Sequence, residues 1–240
     1  MNNKLISIII PVYNHAHTLK RSLDCVFRQT YRPLEVVIVN DGSTDNFGPT
    51  IRTIMMTRLS KTVNIKIINQ ENRGAPSAKN IGFTQSHGDY VIFWDADTIA
   101  EPVMLEKMVG VLEKNPSASY VYCDYKFGWK KMPGQRFDPT QLKLFNYIDT
   151  TSLLRREDFV LFDEQLKKFQ DWDMWLTLLS KGKVGVWLPE MLYKKIVAGR
   201  DGISSWLPSF FYKLPWKTKA VKKYEEARRK IVSKHHLMPL

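Results

Sequence analysis

Residues 88–102 read GDYVIFWDADTIAEP and contain an uninterrupted apolar run from Tyr90 to Trp94. A run without polar alternation predicts a strand buried on both faces, as in the interior of a parallel sheet. Asp95 and Asp97 follow it directly. Ligands of open α/β sheets bind outside the carboxyl ends of strands. The pattern therefore predicts a divalent cation that holds a diphosphate, although aspartates after a strand also form ordinary turns and helix caps.

Alternating strands and helices surround this stretch. Apolar runs predict strands at residues 6–12, 34–39, 64–69 and 120–123. Helical spacing of apolar residues predicts helices between them. This alternation is typical of an α/β protein with a Rossmann-like, doubly wound and mostly parallel sheet.

Element boundaries are expected at particular residues. Glu101-Pro102 is expected to open the helix that follows the central strand. The second helix is expected to include Met55 and Leu59 on its apolar stripe. Two closing strands are expected at residues 184–188 and 191–194.

Composition limits the class of protein. The 240 residues are 44% hydrophobic, enough for one large domain with or without an appendage. The first apolar run is too short for a signal peptide, and no run of about 18 apolar residues would span a bilayer. The two cysteines lack metal-ligand spacing, which fits a reducing compartment. We expect a cytoplasmic protein, free or peripheral at the inner face of a membrane.

The carboxyl-terminal part of the chain is strongly basic. The net charge is +12, and +7 of it lies in residues 213–240. Aromatic residues at 206–216 overlap the start of this basic segment. Such a segment predicts either contact with an anionic membrane surface or an aromatic clasp on the main domain followed by a solvated helix.

Polar residues also follow the second and third strands. Asp41 lies in a polar turn at the edge of the sheet where Asp95 is expected. This aspartate either forms the turn or accepts from a nucleobase or ribose hydroxyl. Arg73 and Lys79 lie where a glycine-containing loop enters a helix. They either face a diphosphate or belong to a solvated basic surface.

Two acidic residues, Asp171 and Asp173, lie at the start of a predicted helix. One of them is expected to cap the helix or to interact with its dipole, which leaves the other carboxylate unexplained. Residues 124–149 mix aromatic and basic side chains without clear periodicity. They are expected to shape an acceptor site or to cover the sheet.

These segments together resemble the family 2 glycosyltransferases, which have a GT-A type fold. The resemblance extends over about the first 190 residues and rests on five motifs in order. The motifs are SIIIPVYN (7–14), EVVIVNDGSTD (35–45), NRG (72–74) with AKNIG (78–82), DAD (95–97) and DWDMWL (171–176).

The resemblance implies a role for each candidate residue. Asp171 falls at the general base, and Asp97 together with Asp95 falls at the Mn²⁺ or Mg²⁺ site. The residues implied to bind the donor are Pro11, Tyr13, Asn14, Asp41, Arg73, Lys79 and Asp95, with Asp41 near the base and Asp95 near the ribose or sugar.

The implied reaction is metal-dependent transfer of a single sugar, with inversion, from a UDP-sugar to a glycan or lipid-linked acceptor in surface polysaccharide or glycolipid synthesis. A processive Gln-x-x-Arg-Trp signature is absent. Lys79 stands where arginine is common, Gln170 replaces an acidic residue, and residues 199–202 lack the histidine that many relatives place near the metal. The position of Asp171 at a helix start predicts a lowered pKa.

Residues 1–197 are expected to form the GT-A domain, with a nucleotide-binding half (1–123) and an acceptor half (124–197), and residues 198–240 a basic aromatic extension. Two other functions fit the composition: a nucleotidyltransferase on a similar sheet and a non-catalytic basic binding protein. The first would need a glycine-rich loop after the first strand, which is absent. The second would need no carboxylates at the sheet edge, so nucleic acid is not an expected partner.

Overall fold

The computed structural model describes residues 3–57, 59–196 and 218–237. The strands are β1 (Ile6–Val12), β2 (Leu34–Asp41), β3 (Asn64–Gln70), β4 (Tyr90–Phe93), β5 (Thr98–Ala100), β6 (Tyr120–Phe127), β7 (Lys130–Met132), β8 (Leu153–Arg155) and β9 (Gly185–Lys195). The helices are α1 (Ala16–Phe27), α2 (Phe47–Met55), α3 (Ala75–Thr84), α4 (Met104–Lys114), α5 (Pro139–Leu144), α6 (Gln170–Ser180) and α7 (Lys219–Lys234).

The strands form one mixed sheet in the order β3-β2-β1-β4-β8-β6-β9-β5, with β7 beside β6. The pairs β1–β2, β2–β3, β1–β4 and β6–β9 are parallel. Since β8 is antiparallel to both β4 and β6, these two strands run in the same direction. The carboxyl ends of β1, β2, β4, β6 and β9 therefore lie along one edge, and the predicted α/β fold is confirmed.

Helices cover both faces of this sheet because the inner strands are apolar on both sides. Along β1, Ile8 and Ile10 join the core beneath α1 and α4, whereas Ile9 faces the core that contains α6. Every residue of β4 is at most 1% exposed, as the apolar run predicts.

The structure corrects several predicted boundaries. A short strand, β5, follows the Asp-Ala-Asp turn, so the next helix begins at Met104 rather than at Glu101-Pro102. The two closing strands are one strand, β9, whose register with β6 shifts at Asp124. Met55 ends α2 and is 38% exposed, and Leu59 lies in a separate 3-10 turn.

The terminal helix α7 packs on the domain. Val221 and Ile231 are fully buried, and Ile231 shares a core with Trp172 of α6. Lys234 at the end of α7 and the following residue, His235, contact the carboxylate of Asp173 on α6. The aromatic residues 206–216 and the predicted boundary near residue 198 lie outside the described residues. Within the described ranges, no helix is both long and apolar enough to cross a bilayer.

Candidate active site

The Asp-Ala-Asp turn lies at the carboxyl edge of the sheet, immediately after β4. The backbone fixes its shape, because Thr98 N donates to Asp95 O at 2.9 Å and Ile196 N donates to Asp97 O at 2.9 Å. The second bond ties the turn to the end of β9, so both aspartates lie beside Lys195.

Lys195 bridges two carboxylates from distant parts of the chain. Its Nζ lies 2.7 Å from Asp95 Oδ2 and 2.6 Å from Asp149 Oδ2, and its side chain is only 10% exposed. Burial would lower the pKa of Lys195, but Asp149 and Asp95 raise it well above its usual value. For Asp95, burial would raise the pKa, but the positive charges of Lys195 and Lys79 lower it to about 2. The lysine is therefore a permanent cation at this edge.

Asp97 lies in a different environment from Asp95. Burial, and then the charge of Asp95, raise the pKa of Asp97 to about 6. Its Oδ1 is buried and has no hydrogen-bond partner among the described residues. An unpaired buried carboxylate oxygen is costly unless a ligand satisfies it, and a hard divalent cation prefers such an oxygen.

The side chains present therefore fit a Mn²⁺ or Mg²⁺ ion that Asp97 would hold, with Asp95 beside it. Asp97 offers the unpaired oxygen, whereas one oxygen of Asp95 already accepts from Lys195. No cluster of three or more His, Cys, Asp or Glu side chains suited to a metal occurs in the described part of the chain.

Asp171 lies in the first turn of α6 with its carboxylate at the crevice. Its Oδ2 accepts from Asn146 Nδ2 at 2.7 Å and its Oδ1 from the Trp172 N–H at 2.9 Å. Burial, and then the charge of Asp149, raise the pKa of Asp171. The expected lowering by the helix dipole is therefore wrong, because desolvation and a like charge outweigh the dipole.

Neither aspartate is the N-cap of α6, but both lie in its first turn, where one was expected to cap the helix or to interact with its dipole. The residue before the helix is Phe169, in a left-handed conformation with φ 60° and no side-chain cap bond. Asp173 is instead paired with Lys234 and His235 of the terminal segment. This pairing accounts for the second acidic residue of the helix start.

Lys79 is a buried cation whose charge acts on both Asp95 and Asp171. It lies on α3, is 6% exposed, and its Nζ lies 5.0 Å from the centre of the Phe162 ring. Its charge lowers the pKa of both Asp95 and Asp171. Lys79, Asp95, Asp97 and Asp171 therefore lie near one another at this edge of the sheet, and their action as one site stays a prediction.

Other predicted donor residues organise the neighbouring loops. Asp41 accepts from Arg73 N at 2.8 Å, Gly74 N at 2.9 Å and Gln70 Nε2 at 2.7 Å. Asn14 accepts from Thr44 N at 2.8 Å. These bonds fix the loops that border the crevice beside β1 and β2.

The remaining predicted residues differ in exposure. Pro11 is half-buried in β1, and Tyr13 is 47% exposed just beyond it. The Arg73 guanidinium pairs with Glu164 at 3.3 Å rather than with the carboxylates. Contact of these residues with a donor stays a prediction.

Sequence reasoning missed three residues of the crevice: Lys195, Asp149 and Asn146. Lys195 and Asp149 meet although 46 residues separate them. Asn146 lies 25 residues before Asp171 in a segment without periodicity. The only sequence signal was the unusual length of the irregular segment 124–149, which marks a functional region without naming residues.

The fold defines an α/β class of protein with carboxylates at the carboxyl edge of its sheet, and sequence comparison identifies the family. The chain belongs to glycosyl transferase family 2, whose family model matches residues 7–165. An uncharacterized glycosyltransferase of Rickettsia typhi is 31% identical over 198 residues, which is 75% of this chain and 60% of the relative. A Haemophilus influenzae relative is 28% identical over 213 residues, 85% of this chain and 84% of the relative. The chain thus spans less than two thirds of the length of the Rickettsia relative.

Solved structures share the fold. Staphylococcus aureus TarS in complex with UDP-GlcNAc matches with a TM-score of 0.75 at 18% identity, over 97% of this chain and 66% of that chain. The mannosyltransferase PcManGT from Pyrobaculum calidifontis, in complex with GDP-Man and Mn²⁺, matches with a TM-score of 0.65 at 19% identity, over 82% and 58%. The predicted GT-A type fold is confirmed.

Proposed function

We propose that this protein transfers one sugar from a UDP-sugar to an acceptor hydroxyl, with inversion at the anomeric carbon. The observation that carries the proposal is the convergence of Lys79, Asp95, Asp97 and Asp171 on one crevice at the carboxyl edge of the sheet. Family membership supports the reaction class, and the UDP-GlcNAc complex of TarS supports the choice of UDP.

Asp97 is the proposed metal ligand, with Asp95 beside it. A bound Mn²⁺ or Mg²⁺ would offset the negative charge that develops on the departing diphosphate. The unpaired Oδ1 of Asp97 supports this assignment, as does the Mn²⁺ complex of PcManGT. Lys195 keeps Asp95 ionised and oriented toward the crevice.

Asp171 is the proposed general base. Its carboxylate takes the proton of the acceptor hydroxyl while the hydroxyl oxygen attacks the anomeric carbon and the bond to the diphosphate breaks. One displacement of this kind inverts the sugar. The raised pKa of Asp171 makes its carboxylate a stronger base than an exposed aspartate, and the two hydrogen bonds hold it in place.

The nucleotide is proposed to lie over the ends of β1 and β2, against Pro11, Tyr13 and Asn14, with Arg73 at the rim. Asp41 uses three hydrogen bonds to hold the Arg73–Gly74 loop. A carboxylate has about four acceptor positions, so one remains for a base N–H.

The acceptor is proposed to enter beside the hairpin of β6 and β7. This hairpin rises from the same edge, since Gly128 N donates to Lys195 O at 3.0 Å. Trp129 at its tip is 91% exposed, and Phe145, which precedes Asn146 in the chain, is 46% exposed. Exposed aromatic rings suit the apolar faces of sugars in a glycan or lipid-linked acceptor.

Peripheral membrane contact at the inner face of the cell membrane remains part of the proposal. The outward side of α7 exposes basic residues such as Lys222, Lys223 and Arg229. Each basic residue near an anionic surface contributes about 1 kcal/mol. Flotation with anionic and neutral vesicles tests this, because only the anionic vesicles should carry the protein.

A panel of nucleotide sugars, assayed for released nucleotide with Mn²⁺ or with EDTA, tests the function. We expect release from one or a few UDP-sugars, only with metal. Release from GDP-sugars alone would replace UDP as the nucleotide, and equal release in EDTA would remove the metal from the proposal.

A further inference from the structure

The segment that follows α5 runs beneath the first turn of α6 and carries Asn146. Asn146 Nδ2 donates to Asp171 Oδ2 at 2.7 Å, and Asn146 Oδ1 accepts from the Ile148 N–H at 3.1 Å. A backbone N–H can only donate, so the amide oxygen must face Ile148. The amide NH₂ must then face Asp171, which settles the orientation of the side chain.

Both oxygens of the Asp171 carboxylate therefore accept a hydrogen bond. One oxygen accepts from Asn146 and the other accepts from Trp172 N. These two bonds fix the plane of the carboxylate and still leave each oxygen a lone pair for a substrate proton.

The same segment places a second charge near Asp171. Asp149 Oδ1 accepts from Thr151 N and from Tyr193 Oη, each at 2.9 Å, and its Oδ2 accepts from Lys195. These partners hold the Asp149 carboxylate in place. After burial, its charge is the largest cause of the raised pKa of Asp171.

Groups on other elements oppose this effect. Lys79 of α3 and Lys195 of β9 both lower the pKa of Asp171. Asp173, one half-turn further along α6, is engaged by Lys234 and His235. Asp149 is thus the negative group whose removal changes the surroundings of Asp171 most directly.

We propose that Asn146 and Asp149 are positioning residues for Asp171: Asn146 aims its carboxylate at the acceptor, and Asp149, held by Thr151, Tyr193 and Lys195, keeps a fixed negative charge near it. The inference rests on the proposed function of Asp171. The two residues act in opposite senses, because a donated hydrogen bond favours the ionised carboxylate and a neighbouring negative charge disfavours it.

This opposition gives a test that needs no substrate. The carboxyl ¹³C resonance of Asp171 in the full, metal-free chain is titrated by NMR, with Asp171→Asn assigning the signal. Asn146→Ala should raise the pKa of Asp171, and Asp149→Asn should lower it, each by about 0.5–1 unit. Asn115→Ala and Asp24→Asn remove similar side chains far from the crevice and should leave the titration unchanged.

Shifts in the same direction, or no shift in either variant, would overturn the inference. If Asn146→Ala does not fold, the nearly isosteric Asn146→Asp replaces it and should also raise the pKa. In an active enzyme, the acidic limb of the kcat/KM profile should move with the NMR value in each variant. Opposite NMR shifts in a protein that releases no nucleotide from any donor would confirm the effects of Asn146 and Asp149 on Asp171 and overturn the proposed function alone.

Discussion

The two sides of the crevice are built in different ways. On the proposed nucleotide side, β2, β1 and β4 are adjacent parallel strands, and their polar groups follow each strand directly. On the proposed acceptor side, single polar contacts join segments far apart in the chain, such as Lys195 with Asp149 and Asn146 with Asp171. Strand pairing therefore brings the polar groups of the first side together, whereas a few long-range hydrogen bonds and ion pairs bring together those of the second.

Removal of the proposed base should have the largest effect and should separate the two sides. Asp171→Asn should lower kcat by about 10³-fold, because proton removal from the acceptor is lost. The Kd for UDP with Mn²⁺ should stay the same, since the nucleotide side is untouched. Calorimetry and a nucleotide-release assay measure the two quantities, and wild-type turnover by the variant would remove Asp171 from the mechanism.

Loss of the proposed metal ligand should instead weaken nucleotide binding. Asp97→Asn should weaken UDP binding in Mn²⁺ by at least about tenfold, because the cation loses its carboxylate. Binding measured in EDTA should be equal in the two proteins. If Mn²⁺ strengthens UDP binding by the variant as much as by the wild type, another group holds the metal.

The ion pairs between the terminal helix and Asp173 should have the next largest effect, which is on the free energy of unfolding. Asp173→Asn should lower the free energy of unfolding by about 1–3 kcal/mol, because Lys234 and His235 lose a buried partner. Glu226→Gln is the matched control, since its pair with Lys230 is exposed at 3.8 Å and such pairs contribute about 0–1 kcal/mol. Urea denaturation measures both, and equal effects would contradict the importance of this contact.

The substitution Asp97→Asn, proposed above as a test of metal binding, should also change the free energy of unfolding in a pH-dependent way. The pKa of Asp97 in the folded protein, about 6, lies above its ordinary value of 3.8, so the native state binds more protons between these values. Stability should therefore fall as the pH rises through this window. Without metal, Asp97→Asn should gain about 1–3 kcal/mol over wild type at pH 7 and little at pH 4. A constant difference across the window would contradict the raised pKa.

Packing on the proposed nucleotide side gives effects of equal or smaller size. A Cβ on Gly82 of α3 would collide with the Ile9 side chain of β1, so Gly82→Ala should cost about 1–3 kcal/mol. A Cβ on Gly110 of α4 would meet open space, so Gly110→Ala should add about 0.5–1 kcal/mol. Thermal unfolding compares the two, and a harmless Gly82→Ala would mean that α3 is not closely packed.

The same contrast explains what the sequence could predict. The strands of the nucleotide side are continuous apolar runs, and Asp95 and Asp97 were placed at the sheet edge because they follow one such run directly. β5 was missed because Thr98-Ile99-Ala100 is too short to show a pattern and forms through its pairing with β9.

The acceptor side was predicted less completely. Asp171 was found by its motif, but its pKa was predicted in the wrong direction because burial and Asp149 are invisible in local sequence. Lys195 looks like an ordinary lysine at the end of a strand, and its partner Asp95 lies 100 residues away. Long-range ion pairs of this kind have no local signal.

A crystal structure with UDP and Mn²⁺ tests the shared crevice most directly. We predict that the metal binds Asp97 and the diphosphate, that the uracil lies on the Asp41 side, and that the Asp171 carboxylate faces the same cavity. Nucleotide and metal bound elsewhere, with Asp171 turned away from them, would contradict the account.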